Sequence, residues 1–137
     1  MKVNLKLIGD MKIEGSDEEN HITYFDTKAS LGGTESAATP MSVLLQAMAA
    51  CSIMDVSAIL RKKRKTIESL NVEVEGIRAD EHPKVFTYVK LIYKLKSNDA
   101  TIDDLIRAVE LSQTKYCGAS GLFKAAGCEV VAESVLV

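Results

Sequence analysis

Three cysteines, Cys51, Cys117 and Cys128, are the residues in this chain best equipped for chemistry. A thiol attacks only as its thiolate, so each is judged by what would favour the anion: a nearby cation, hydrogen-bond donors or a helix N-terminus. Cys51 sits inside the longest apolar stretch, TPMSVLLQAMAACSIMDVSAILRKKRK, from Thr39 to Lys65. It is expected about three turns into a helix, too far from that helix's own positive end to benefit, so any activation must come through space. Cys117 stands in KYCGASG, with Lys115 two residues before it. If a short helix begins near Gly118, Cys117 lies at its N-terminus, where partial positive charge lowers a thiol's pKa. Cys128 follows Gly127 and opens a strand, and it reads as core packing.

Other chemistries find little support. His21, His82 and the isolated cysteines have no CxxC or HxxxH spacing, so no metal is expected. No phosphate-binding loop, dinucleotide fingerprint or Gly-x-Ser-x-Gly elbow occurs, and Gly32-Gly33 reads as a flexible turn. A net charge of −2 and the lack of Trp argue against a nucleic-acid partner. Three widely spaced cysteines do not make a secreted disulfide framework, and the charged, alternating MKVNLKLIGD reads as a strand rather than a leader. The expected setting is therefore cytoplasmic and reducing. Val43 to Leu60 has the minimum length of a membrane span, but Gln46, Asp55 and several serines interrupt it, so no membrane is expected. The cations Arg61 to Lys65 read as the end of a helix emerging into water, complementing its dipole.

The elements that must position these residues follow from periodicity. Lys2–Ile8 alternates as a half-buried strand, Met11–Glu14 forms a second, and His21–Asp26 a third, with GSDEEN as a loop between the last two. Thr27 to Ala38 is a long loop, and Thr39-Pro40 caps and opens the central helix. That helix is apolar nearly all round, which predicts burial in the core or between subunits. Ser69–Arg78 and Val85–Leu95 make a longer hairpin around Pro83. A helix runs from Thr101 to Tyr116, Cys117-Gly118 interrupts it, Ala119–Ala126 forms a third helix closed by Gly127, and Glu129–Val137 is a final strand. The order βββ-α-ββ-αα-β predicts an α+β protein of antiparallel sheets around a long buried helix, as a single domain over residues 1–137.

A Thr-Pro-Met opening, an Ala-Cys-Ser helix and a Lys-Tyr-Cys helix break about 65 residues further on resemble the OsmC/Ohr family of osmotically inducible and organic-hydroperoxide-resistance proteins. The likeness covers nearly the whole chain. It is nearest to a subgroup with Cys-Ser-x-x-Asp and a basic end on the central helix, here Cys51, Ser52, Asp55 and Arg61 to Lys65. The resemblance implies an intertwined homodimer with a site at each interface. It implies reduction of organic hydroperoxides, with Cys51 as the peroxidatic thiol and Cys117 as the resolving thiol. A dithiol donor would restore the pair, and no cofactor would be needed. Apolar Met48, Ile53 and Met54 near Cys51 would suit an alkyl peroxide. The better-known members carry a Glu near the helix-opening Pro and an Arg from the N-terminal region. Here Met41 and Ser42 take the place of that Glu, and no Arg precedes Arg61. Glu35, Gln46 and Lys28 are candidate replacements. The departure leaves a second expectation open, that the fold serves as a small-ligand-binding or redox-sensing module.

Overall fold

The order of elements in the computed structural model, which describes all 137 residues, is the expected βββ-α-ββ-αα-β. The strands are β1 (Val3–Leu7), β2 (Ile13–Asp17), β3 (Ile22–Phe25), β4 (Ser69–Arg78), β5 (Phe86–Lys96) and β6 (Glu129–Leu136). The helices are α1 (Pro40–Lys62), α2 (Ile102–Leu111) and α3 (Gly118–Ala125). The backbone gathers into two units, Met1–Leu44 and Leu45–Val137, and α1 begins in the first and continues through the second.

The first unit is an antiparallel sheet of β1, β2 and β3 with β2 in the middle. β2 is longer than the sequence pattern suggests, because Gly15, Ser16 and Asp17 continue the strand despite low strand propensity. Gly15 is buried between Leu5 and Thr23, and a side chain there would press on Phe25 at 3.2 Å. β1 departs from expectation in burial. Its alternating Val3, Leu5 and Leu7 are all more than 60% exposed, so the half-buried face is uncovered within the chain.

The loop after β3 is ordered rather than slack, and Asp26 is its anchor. The Asp26 carboxylate, 2% exposed, accepts hydrogen bonds from the Thr27, Thr34 and Ser36 amides and from the Thr34 and Ser36 hydroxyls. Those donors, led by the Thr34 hydroxyl, hold its carboxyl far below the usual carboxylate range. Gly33 is part of the same construction. A Cβ at that position would fall 2.1 Å from the Thr27 carbonyl oxygen, so the close backbone approach requires glycine.

In the second unit, β4 and β5 pair antiparallel with a bulge at Ile77 and Arg78. β6 lies on the other side of β5 and is parallel to it, one parallel pairing in a fold whose other strand pairs are antiparallel, as expected. The reason is the connection. Between β5 and β6 the chain crosses over through α2 and α3, a return path of the kind that parallel strands need. Val89, Leu91, Tyr93 and Leu95 of β5 are all fully buried, at strict alternation, and form the centre of the core.

Within the chain α1 is buried along one stripe only: Met48, Ala49, Ser52, Val56 and Leu60, at successive helical turns. Its other flank stays open, with Met54 at 72% exposure. Thus the all-round burial expected of this helix is not completed by a single chain. α2 is the amphipathic helix that the periodicity predicts, with Leu105, Ala108 and Val109 buried. Thr101 and Asp104 form a reciprocal capping box at its start, and Lys63 and Lys65, just past the end of α1, both pair with Asp104. The RKKRK end therefore docks in part onto α2 and does not simply trail into solvent. α2 stops five residues earlier than the sequence suggests. Ser112–Tyr116 form a single π-helical turn, closed by a bond from the Cys117 amide to the Ser112 carbonyl at 2.8 Å.

Candidate active site

The π turn is what brings the chemistry together. It offsets the chain after α2 so that Cys117 becomes the N-cap of α3, as its sequence setting suggested. The Cys117 sulfur accepts from the Ser120 amide at 3.4 Å, and its S–H points to the Met48 carbonyl on α1 at 3.9 Å. Cys51 projects from α1 toward the same place. The Sγ atoms of Cys51 and Cys117 and a carboxylate oxygen of Asp55 all lie within 4.8 Å of one another. Residues 66 positions apart in sequence thus meet at the start of one short helix. Cys128 is buried, and its sulfur lies 3.6 Å from the Glu129 carbonyl, apart from the pair.

Cys51 receives through-space help, but from a helix other than its own: the Ala119 amide in the first turn of α3 donates to its sulfur. That bond favours the thiolate. Burial, the hydrogen bond and charge of Cys117, and the charge of Asp55 act in the opposite direction. Together they push the Cys51 thiol above its ordinary value.

Asp55 lies one turn beyond Cys51 on α1 and is held by a buried polar chain. Ser112 Oγ donates to Asp55 Oδ2 at 3.0 Å. Ser52 Oγ meets Ser112 Oγ at 2.8 Å and the Tyr93 hydroxyl at 2.5 Å. Gln113 Nε2 donates to both Ser52 Oγ and the Tyr93 oxygen at 3.0 Å. The carboxylate can only accept, so the direction of every bond follows: Tyr93 donates to Ser52, Ser52 to Ser112, and Ser112 to Asp55. Burial pushes the Tyr93 hydroxyl up in pKa, which keeps it a neutral donor at the head of the chain. Ser52, Tyr93 and Ser112 are fully buried. Sequence reasoning singled out Ser52 and Asp55 only as parts of a motif and missed Tyr93, Ser112 and Gln113. One usable signal was present: alternation along β5 points Tyr93 inward, and a buried phenol needs a partner.

Beside the thiol pair, Asp55, Ala58, Ile59, Lys62 and Tyr116 line an open groove of about 240 Å³. Ala58 and Ile59 supply its apolar wall. Of the residues expected to favour an alkyl group, Met48 is buried in the core and Met54 is exposed. Of the candidate replacements for the activating acid and cation, Gln46 is exposed on α1, and Glu35 and Lys28 belong to the Met1–Leu44 unit. The carboxylate that the fold does place by the sulfurs is Asp55.

Comparison with known proteins agrees with this architecture. The chain is 29% identical to protein YhfA of Escherichia coli K12 over 117 residues, spanning 85% of this chain and 84% of that protein. Its fold matches an OsmC-like protein from Mycoplasma pneumoniae with a TM-score of 0.83 at 16% identity, over 99% of this chain and 96% of that one. It also matches an organic hydroperoxide resistance protein OsmC from Legionella pneumophila with a TM-score of 0.72 at 14% identity, over 98% and 97% of the two chains. These structural likenesses carry the fold alone. The family assignment rests on the sequence model for OsmC-like proteins, which matches residues 33–133, and the chain accordingly belongs to the OsmC-like family.

Proposed function

We propose that the protein is a thiol-dependent peroxidase that reduces organic hydroperoxides, with Cys51 as the attacking thiol and Cys117 as the resolving one. The observation that carries this reading is the meeting of the two sulfurs at the N-terminus of α3. The hydroperoxide-resistance name of the Legionella neighbour adds support from outside the chain. In the proposed cycle the Cys51 thiolate attacks the peroxide, the O–O bond breaks, an alcohol leaves, and Cys51 becomes a sulfenic acid. Cys117 condenses with it to a disulfide, and a dithiol donor returns both thiols by exchange. Ala58 and Ile59 in the groove would face the alkyl part of the substrate. Such a cycle needs a compartment where a donor keeps the pair reduced, and we place it in the cytoplasm.

The raised Cys51 pKa sets the expected pH profile. Its thiolate is withheld below the ordinary thiol value and released above it. The rate of oxidation by cumene hydroperoxide should climb with pH and still be climbing at pH 9.0. Quenched-flow sampling followed by peptide mapping measures both this rate and the Cys51–Cys117 disulfide. Absence of that disulfide after peroxide treatment would remove Cys117 from the resolving role. The same raised pKa favours a second reading, a slow redox sensor or ligand-binding module. Oxidation of the pair without sustained turnover in the presence of dithiothreitol or a lipoyl donor would select it.

We also propose that the working form is a homodimer. The uncovered Val3, Leu5 and Leu7 of β1 and the open apolar flank of α1 present more surface than a lone soluble chain usually leaves in water. Light scattering in solution is expected to give twice the chain mass of 14.9 kDa. A mass equal to one chain at micromolar concentration would rule this out.

A further inference from the structure

We propose that Asp55 is the proton acceptor for Cys117 when that thiol attacks Cys51. This rests on the two-thiol reading above and adds a catalytic role for a group outside the pair. The argument starts from the proton that has to move. The Cys117 S–H is directed at the Met48 carbonyl, which cannot take its proton. Attack on Cys51 needs a base, and Asp55 is the carboxylate placed within 4.8 Å of both sulfurs, direct reach after a small side-chain shift or the span of one bridging water. Its position is set from behind. Oδ2 is held by Ser112, and Ser112 by Ser52 and Tyr93, a run of donors that all point toward the carboxylate. A carboxylate held this way keeps its orientation without giving up its capacity to accept one more proton.

The step balances with the groups at hand. The Cys117 S–H bond breaks and Asp55 takes the proton, while the Cys117 sulfur forms the S–S bond to Cys51. The S–O bond of the Cys51 sulfenic acid breaks, and the departing hydroxide takes the proton from Asp55 and leaves as water. Cys117 sulfur is oxidised and Cys51 sulfur is reduced to the disulfide level, so no further oxidant is needed. The titratable groups around Asp55 are Cys51 and Lys62 on α1, Tyr116 at the end of the π turn, Cys117 just after it, and Tyr93 of β5 behind the serines.

A proton acceptor and a mere negative neighbour predict opposite outcomes on substitution. Removing the charge alone would raise the thiolate fraction of the pair and speed its reactions. Removing a base would slow the second thiol's attack. The experiment uses 5,5′-dithiobis(2-nitrobenzoate) on the reduced full chain in a Cys128→Ser background, so that it does not depend on peroxide. The first thionitrobenzoate release, proportional to reagent concentration, reports Cys51. The second, independent of reagent concentration, reports Cys117 attacking the Cys51 mixed disulfide. In Asp55→Asn the first phase is expected to be unchanged or faster, and a urea-unfolding midpoint close to that of wild type shows that the variant is folded. The second is expected to slow by about 10–100-fold at pH 7 and to become proportional to hydroxide. Asp55→Glu should restore most of the rate. A second phase in Asp55→Asn as fast as wild type, with the same pH profile, overturns the role of Asp55. A wild-type chain with no reagent-independent phase overturns the two-thiol reading and this inference with it.

Discussion

Cys51→Ser is expected to lower hydroperoxide turnover by about 10³-fold or more, because the substitution replaces a nucleophile whose anion forms at accessible pH with a hydroxyl whose anion does not. Cys117→Ser should behave differently. The first turnover survives, the sulfenic acid on Cys51 accumulates and is trapped by dimedone, and no intramolecular disulfide forms. The contrast matters because both sulfurs lie against the N-terminal end of α3, where each accepts a backbone amide. Their amide contacts alone make them near equals. Burial and the neighbouring charges push Cys51 up, so its advantage cannot lie in a low pKa. It lies in access: Cys51 is partly exposed and Cys117 is buried. Full turnover by Cys51→Ser would end the proposed role of that residue.

Much of this arrangement can be read from the chain, and the limits have physical causes. The hairpin of β4 and β5 and the amphipathic α2 carry periodic apolar patterns and the central helix a long apolar run, and all three appear there, with α2 ending five residues early. Cys117 could be placed at a helix start because Gly118 and the small residues after it allow one. Three features were not legible. The π turn leaves no periodic trace, since one extra residue in a helical turn looks like helix. The parallel pairing of β6 depends on how a crossover packs, which alternation does not encode. The meeting of Asp55 with Cys117 is a long-range contact made possible by that π turn, and neither residue's local sequence announces it.

The π turn is also where a polar chain enters the core. Ser112 continues the buried stripe of α2, three residues after Val109, and with Gln113 it meets Ser52 of α1 and Tyr93 of β5. The polar chain therefore couples three elements, α1, β5 and the turn, to one carboxylate beside the sulfurs. The buried serines belong to the positioning of the site as much as to the packing of the fold.

Ser52→Ala should consequently be among the most destabilising small changes in the chain. Its hydroxyl accepts from Tyr93 and Gln113 and donates to Ser112, all inside a fully buried cluster. Alanine fits the space, so no overpacking arises. It leaves the Tyr93 hydroxyl without its serine acceptor, Ser112 without its donor, and removes one of the two acceptors of the Gln113 amide. Stranding buried donors costs about 1–3 kcal/mol each when no partner replaces the lost one, and the expected loss of unfolding free energy is about 3 kcal/mol. Urea unfolding of wild type and variant measures it. Tyr93→Phe removes the phenol at the head of the chain. The double variant Ser52→Ala/Tyr93→Phe should cost less than the sum of the two single changes by about 1 kcal/mol, since the group stranded by the first change is absent in the second. Full additivity, or a Ser52→Ala cost below about 0.5 kcal/mol, would mean that Tyr93 finds another partner. In that case Asp55 would be held by Ser112 alone, and the chain from β5 would have no part in setting the carboxylate against the thiols.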